Sequence, residues 1–213
     1  MCHKIITEDM LSQLRQSVKQ CMSKARYEHT LGVEATATYI GESLGIVDLN
    51  KIRAAALLHD VTKEYSFVKQ LKICEEFGII LRDDEKLSPA IIHSITAAAI
   101  IPSQYFDFCD SEIISCVRWH TTGKKAMSLA EKIIYLSDYI EPTRTYNACV
   151  ALRNEFFSNN SDSINNNDRL KCLDSAIVKA LEQTVEHLYQ KGAQVNPDTI
   201  EALAYIKDKL RQY

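Results

Sequence analysis

The stretch AAALLHDVTKEY, residues 54–65, ends an apolar run with two adjacent polar side chains. His59 and Asp60 directly follow the Ala and Leu residues, and Lys63 lies four positions after His59, which is one helical turn. Burying a carboxylate costs several kcal/mol unless a charged group receives it. The stretch therefore predicts a core helix, and it requires a charged partner for Asp60 at the end of that helix.

The composition of the whole chain favours helices. The chain has 213 residues, of which 46% are hydrophobic, and it contains only six Gly and four Pro. So few helix breakers favour long helices over strands joined by turns, and we expect an all-α fold of one domain. The formal net charge of -3 offers no broad attraction to nucleic acid or to an anionic membrane, so we expect neither as a partner.

Apolar residues at three- and four-residue spacings, together with capping signals, place the individual helices. Ser88 and Pro89 mark one start, with Ser at the cap and Pro at the first helical position. The predicted helices cover residues 8–24, 27–44, 50–61, 66–77, 88–100, 110–121, 128–140 and 168–191, with a last helix from 196 to about 211.

One segment differs in composition from the rest of the chain. The run SNNSDSINNND, residues 158–168, consists almost wholly of Ser, Asn and Asp and cannot bury a core. We predict that it is an exposed loop. It separates a core of residues 1–157 from C-terminal helices, residues 169–213, that pack on the same domain.

The cysteines and the apolar runs indicate a cellular compartment. Seven cysteines without a CxxC pair indicate neither a zinc ribbon nor a disulfide framework, and buried helical thiols suit a reducing cytoplasm. The opening residues MCHKIITEDMLSQL lack the apolar core of a signal peptide. No run approaches the ~18 apolar residues of a membrane span, so we predict no span and a cytoplasmic location.

Four histidines and two aspartates each lie on an otherwise apolar helical face. A lone His in this setting is more often a hydrogen-bonded core residue, and Asp138 alone could be a partner for Arg144. Several such groups on different helices are harder to explain, because native cores rarely leave buried polar groups unpaired. One shared metal site would satisfy them together. The predicted ligands are His29, His59, Asp60, His93, His120 and Asp138.

The ligand types restrict the metal. Imidazole and carboxylate without thiolate suit iron, manganese, cobalt or zinc, and they argue against a structural zinc site. Asp60 can bridge two ions with its two oxygens. Two divalent ions and two carboxylates together carry a net charge of about +2. This positive charge attracts phosphate and lowers the pKa of bound water. An acidic protein would need such a local positive site to bind a polyanion.

Side chains next to these ligands in sequence suit phosphate binding. We predict that Arg26, Lys63, Thr122 and Arg144 contact substrate phosphates, and that Lys63 acts with Asp60 in catalysis. Alternatives remain for three of them. Arg26 and Arg144 could form surface ion pairs, and HTTG at 120–123 could simply end a helix with its Gly.

The order H…HD…H…H…D resembles the HD-domain metallohydrolases, which hold two metal ions in a helical bundle. The segments YEHTLGV, ALLHDVTKEY, WHTTGKKAMSLAEKIIYLSDYIEPTR and GAQVNPDTIEALAYI are more closely similar to the bacterial YqeK family, over nearly the whole chain. The resemblance implies symmetrical hydrolysis of diadenosine tetraphosphate to two ADP on a di-iron centre; manganese, cobalt or zinc would suit the same ligand types. It also implies that His29, His59, Asp60 and Asp138 hold one ion, and that Asp60, His93 and His120 hold the other.

Two stretches depart from the family pattern, and two other functions stay open. The residues HSITAAA after the third His, and TRTYNACVALR after DYIEP, differ from what the family leads us to expect. Neither contains another of the six ligands, but both bear on which nucleotide is preferred. The alternatives are an HD phosphohydrolase for deoxynucleotides, nucleoside phosphates or cyclic dinucleotides, and a non-catalytic metal-dependent nucleotide sensor. A homodimer is compatible with the sequence.

Overall fold

The computed structural model of this chain describes residues 5–159 and 165–212. Within those ranges the regular structure is entirely helical, so the all-α prediction is confirmed. The helices are α1 (Glu8–Cys21), α2 (Lys24–Ser43), α3 (Asn50–Leu58), α4 (Phe67–Glu76), α5 (Asp83–Lys86), α6 (Pro89–Gln104), α7 (Ser111–Trp119), α8 (Leu129–Ile140), α9 (Asn147–Asn159), α10 (Asn166–Gln190) and α11 (Pro197–Leu210), with a 3-10 turn at Phe106–Phe108.

Helices α2, α3, α7 and α8 pack against one another and form the centre of the bundle. The apolar run of α3 is completely enclosed, since Leu57 and Leu58 are both fully buried. Helix α8 contributes Ile133, Ile134 and Leu136, which are also fully buried. These side chains remove large apolar areas from water, and that burial favours the packing of the four helices. The polar ends of α3 and α7 are thereby held inside the protein.

The remaining helices cover this centre. Helix α1 packs on α3, α6 packs on α7 and α4, and α10 packs on α8, α9 and α11. Among the described residues, no helix combines the length and hydropathy that crossing a bilayer requires.

The capping signals in the sequence correspond to real helix ends. Ser128 and Glu131 form a capping box at the start of α8, with Ser128 N donating to Glu131 Oε2 at 2.7 Å and Glu131 N to Ser128 Oγ at 3.2 Å. Pro89 begins α6 as predicted, but Ser88 does not cap that helix with its side chain. Ser88 has ψ of 68°, far from the ψ of 168° at Ser128, and its hydroxyl makes no capping bond to the first turn.

The predicted loop at 158–168 is wrong at both of its ends. Residues 158 and 159 belong to α9, which the sequence analysis did not predict, and residues 166–168 belong to α10. Asn165 caps α10 by accepting a hydrogen bond from the backbone of Asp168 at 3.0 Å. Asn, Ser and Asp are favoured at caps, so part of this polar run starts a helix. Residues 160–164 lie outside the described residues.

Helix α6 continues four residues beyond its predicted end at 100 and contains Pro102. Pro102 lies in the last turn, where the loss of one backbone N–H costs little of the helix that precedes it. Ile100 and Ile101 are buried, and their packing extends the helix to that point.

Candidate metal centre

The six predicted ligands come together at the centre of the bundle. Five of them lie on or just after helices α2, α3, α7 and α8, His93 lies on α6, and the side chains point into the same space. The four histidines are at most 5% exposed, Asp60 is 3% exposed, and the side chain of Asp138 is 18% exposed. The carriers are α2 for His29, the end of α3 for His59 and Asp60, α6 for His93, the end of α7 for His120, and α8 for Asp138.

The donor atoms lie within a few ångströms of one another. His29 Nε2 is 3.0 Å from Asp138 Oδ1 and 3.3 Å from His59 Nε2. Two overlapping sets have one donor atom per residue within 4.8 Å of the others: His29, His59 and Asp138, and His59, Asp60 and His120. Each set can hold one cation.

His93 lies beside the second set. Its Nε2 is 3.2 Å from Asp60 Oδ1 and 3.0 Å from His120 Nε2. The two oxygens of Asp60 face different rings, because Oδ1 lies 3.2 Å from His93 Nε2 while Oδ2 lies 3.3 Å from His59 Nε2. This is the arrangement that a bridging carboxylate needs.

Backbone carbonyls set the orientation of three of the rings. Since a carbonyl oxygen only accepts hydrogen bonds, each Nδ1 that contacts one must donate, and in a neutral ring the lone pair is then left on Nε2. The three Nε2 lone pairs point at the shared space. The contacts are His59 Nδ1 to Ala56 O at 2.6 Å, His93 Nδ1 to Ala90 O at 2.8 Å, and His120 Nδ1 to Val117 O at 2.7 Å.

Glu141 orients the fourth ring, and the sequence analysis did not identify this role. Its fully buried carboxylate lies 2.9 Å from His29 Nδ1 and accepts hydrogen bonds from Thr143 N at 2.7 Å and Thr143 Oγ1 at 2.5 Å. Gly32 makes room for it, because a Cβ at that position would lie 2.4 Å from Glu141 Oε2. A Gly inside helix α2, three residues after His29, was the available sequence signal, since Gly weakens a helix interior by about 1 kcal/mol.

One oxygen of Asp60 indicates that this site binds cations. Asp60 Oδ1 is buried and has no hydrogen-bond donor within the described part of the chain. Its nearest neighbours are the Nε2 atoms of His93 and His120, which are acceptors in the orientation described above. A buried carboxylate oxygen without a donor is costly, and a cation bound between Asp60 Oδ1 and these lone pairs satisfies it. The donor set fits one or two divalent metal ions.

Protonation within the cluster follows from burial and charge. Burial alone would raise the pKa values of Asp60 and Asp138, but the surrounding imidazoles, and Arg144 beside Asp138, bring both well below their usual values. Burial lowers the pKa of His93 to about 4, against the opposing effect of Asp60. His29 is different, because hydrogen bonds to Asp138 and Glu141 outweigh its burial and raise its pKa to about 9. The cluster thus combines ionised carboxylates with a neutral His93.

Three cationic side chains border the ligands. Arg26 Nη1 donates to Asp60 Oδ2 at 2.7 Å, and Arg144 Nη2 donates to Asp138 Oδ1 at 2.5 Å. Both arginines form ion pairs, but these pairs are partly buried inside the site and not on the surface. Lys63 Nζ lies 3.3 Å from His93 Nε2, and burial lowers the pKa of its ammonium group. The centre therefore has a positive rim.

The two threonines of the HTTG turn take different positions. Thr121 Oγ1 lies 3.0 Å from His120 Nε2 and 3.2 Å from His93 Nε2, although the sequence analysis did not select it as a site residue. The buried Thr122 instead donates its hydroxyl proton to Gly123 O at 2.8 Å. Its contact with substrate phosphate stays a prediction, and Thr121 is the threonine that faces the ligands.

Comparisons with known proteins agree with this geometry. The HD domain family matches residues 26–143, which contain all six ligands. The chain is 29% identical over 195 residues to the symmetrical bis(5'-nucleosyl)-tetraphosphatase of Staphylococcus aureus, covering 92% of this chain and 93% of that protein. It is 31% identical to the protein of the same name from Bacillus subtilis, covering 85% of this chain and 89% of that one.

A solved structure has the same overall fold. A predicted HD superfamily hydrolase involved in NAD metabolism, from Clostridium acetobutylicum, superimposes with a TM-score of 0.80 at 27% sequence identity. The superposition covers 93% of this chain and 97% of that protein, so the similarity includes the C-terminal helices as well as the helices that carry the predicted ligands.

Proposed function

The chain belongs to the HD domain family, and we propose that it is a metal-dependent phosphohydrolase that cleaves dinucleoside tetraphosphates symmetrically. The products are two nucleoside diphosphates, and diadenosine tetraphosphate yields two ADP. The observation that carries the proposal is that Asp60 Oδ1 is buried next to the lone pairs of His93 and His120. This oxygen has no hydrogen-bond donor in the described part of the chain. Relatives that share about 30% identity over most of their length carry the name of this activity.

In this proposal the six ligands hold two divalent ions. His29, His59, Asp60 and Asp138 hold one, and Asp60, His93 and His120 hold the other, with Asp60 in common. Iron is the first choice of metal, and manganese, cobalt or zinc suit the same donors. Bound there, the two ions neutralise charge on phosphate oxygens and make water a stronger nucleophile at neutral pH.

The protein's own side chains position the polyphosphate. Lys63 Nζ, next to His93, lies where it can neutralise charge on a phosphate oxygen and give a proton to the departing diphosphate. Arg26 and Arg144 pair with Asp60 and Asp138 in this structure, and the same guanidinium groups suit bidentate contact with phosphate. Thr121 Oγ1 adds a hydroxyl on the side of His120. We further propose that the protein acts in the cytoplasm; a homodimer stays a prediction.

The decisive experiment is a panel of nucleotide substrates with identified products, run in water labelled with heavy oxygen. Symmetrical cleavage by water places the label on the terminal phosphate of only one ADP of each pair. Preferred turnover of deoxynucleotides, nucleoside monophosphates or cyclic dinucleotides would assign a different phosphohydrolase activity. A protein that binds nucleotide but hydrolyses nothing, even after iron or manganese is added back, would be a sensor.

A further inference from the structure

A second cavity lies beside the metal centre, between the start of α6, the HTTG turn and the turn that joins α10 to α11. Its volume is about 500 Å3, within the range of small-molecule sites. Thr121 belongs both to its lining and to the metal centre, where its hydroxyl lies 3.0 Å from His120 Nε2. We call this cavity the side pocket. One end of the side pocket therefore lies at the predicted ligands.

The lining of the side pocket combines apolar walls with the exposed side chain of Gln194. Leu87 and Ile91 lie on the α6 side, and Leu188 and Ala193 lie on the α10 side. Leu87 is 69% exposed and gives this wall an apolar surface that a ligand can cover. The Gln194 amide makes no hydrogen bond to another described residue. Such a lining suits a flat, partly apolar ring with polar edges.

The turn that carries Gln194 is held in place. Gly192 has φ of +64°, and Ala193 N donates to Leu188 O at 2.9 Å, which is the closing bond of a Schellman motif. Asn196 Nδ2 donates to Asp84 Oδ2 at 2.8 Å and ties the turn to α5. The outer wall of the side pocket is therefore already formed in this structure.

The HD domain match ends at residue 143, so the outer wall of the side pocket lies outside the residues that match the HD domain. Resting on the function proposed above, we propose that the side pocket binds one nucleoside of the substrate and that Gln194 reads its base as adenine. The α10–α11 turn then determines which nucleotide the common metal centre receives.

The position of the side pocket supports this assignment. A nucleoside held between its apolar walls can direct its phosphates past Thr121 to the metal ligands. The two nucleosides of a dinucleotide are separated by its phosphates, so a pocket on one side of the centre takes only one of them. A glutamine amide offers a donor and an acceptor side by side, which matches N7 and the exocyclic amine of adenine, whereas guanine presents two acceptors at that edge.

The test compares the binding of ADP, GDP and inorganic pyrophosphate to the metal-loaded protein by calorimetric titration. We expect the wild type to bind ADP more tightly than GDP. Gln194→Ala should weaken ADP binding on the order of tenfold and make the two nucleotides nearly equal, because a matched pair of hydrogen bonds is lost. Pyrophosphate binding should not change, since it needs only the metal centre.

Two further variants complete the test. Ala193→Trp fills the side pocket from an exposed position and should weaken both nucleotides but not pyrophosphate, with helical content checked by circular dichroism. Gln190→Ala is the matched control, because Gln190 lies on α10 outside the side pocket and pairs with Glu186 at 3.2 Å; it should behave as the wild type. Unchanged nucleotide affinity in Ala193→Trp would overturn the binding site, and an unchanged ADP to GDP ratio in Gln194→Ala would overturn the reading of adenine. Product analysis of the wild type tests the proposed reaction separately, so either conclusion can fail alone.

Discussion

Replacing Glu141 by Gln tests whether the metal centre depends on a residue that binds no metal itself. The buried carboxylate accepts from Thr143 N and Thr143 Oγ1 and lies 2.9 Å from His29 Nδ1. Gln has nearly the same shape but has one acceptor oxygen, no charge and an amino group. With three donors around it, at least one must face that amino group. In either orientation of the amide, His29 loses the negative charge behind its ring, and in one orientation it also loses its hydrogen-bond acceptor.

The expected magnitude follows from this count of donors. Loss of a hydrogen-bond partner behind a ligating imidazole lowers metal affinity about 10–100-fold, or roughly 1.4–2.7 kcal/mol. One buried donor left without an acceptor costs about 1–3 kcal/mol, which should appear as a lower free energy of unfolding of the metal-free protein.

The assay is titration of the metal-stripped protein with Mn2+, together with urea unfolding of the same samples. Glu131→Gln is the matched control. Glu131 is also a buried glutamate of α8, but it bonds Ser128, Ser115 and Lys124 and contacts no metal ligand. It should lose stability and keep its metal affinity. If Glu141→Gln binds Mn2+ as tightly as the wild type, or if both variants lose affinity equally, the orienting role of Glu141 is refuted.

Three other substitutions probe the same centre. Gly32→Ala should displace Glu141 and therefore lower the affinity for Mn2+. It should also lower the free energy of unfolding in urea by about 1–3 kcal/mol, although Ala is the better helix former. Unchanged Mn2+ affinity would show that the bundle adjusts without moving Glu141. Asp60→Ala should release metal, measured by elemental analysis, and abolish turnover while circular dichroism stays helical; retained turnover would disprove the bridging role. Lys63→Ala should reduce kcat far more than metal content, because its ammonium group acts on phosphate and not on the ions; equal losses would make Lys63 structural.

The sequence predicted most of the helices because their signals are local. Capping residues, Pro at a first turn and apolar spacing depend only on neighbours along the chain, and α8 begins at its capping box as these rules require. Helix α9 was missed because its apolar side is narrow, with only Cys149, Leu152 and Phe156 buried among its residues. Packing against α8 and α10 stabilises it, and local sequence does not report that packing.

The histidines and aspartates of the candidate site could be selected from sequence because each is an unusual polar group on an apolar face. Glu141 and Thr121 could not be selected in this way. In the sequence, Glu141 is an ordinary residue before Pro142 at the end of α8. Its position behind His29 depends on the space that Gly32 leaves on another helix. Thr121 and Thr122 are identical neighbours, and only the path of the turn after α7 decides which hydroxyl faces His120.

By itself, then, the sequence determined that the described residues form helices and which residue types are the candidate metal donors, because both depend on residue type and short-range spacing. The tertiary structure alone decided which nitrogen of each imidazole faces inward, that the two oxygens of Asp60 face different rings, and that a side pocket from the C-terminal turn adjoins the centre. Those features depend on distances between groups far apart in the chain, such as His29 and Glu141, and these distances exist only once the helices have packed.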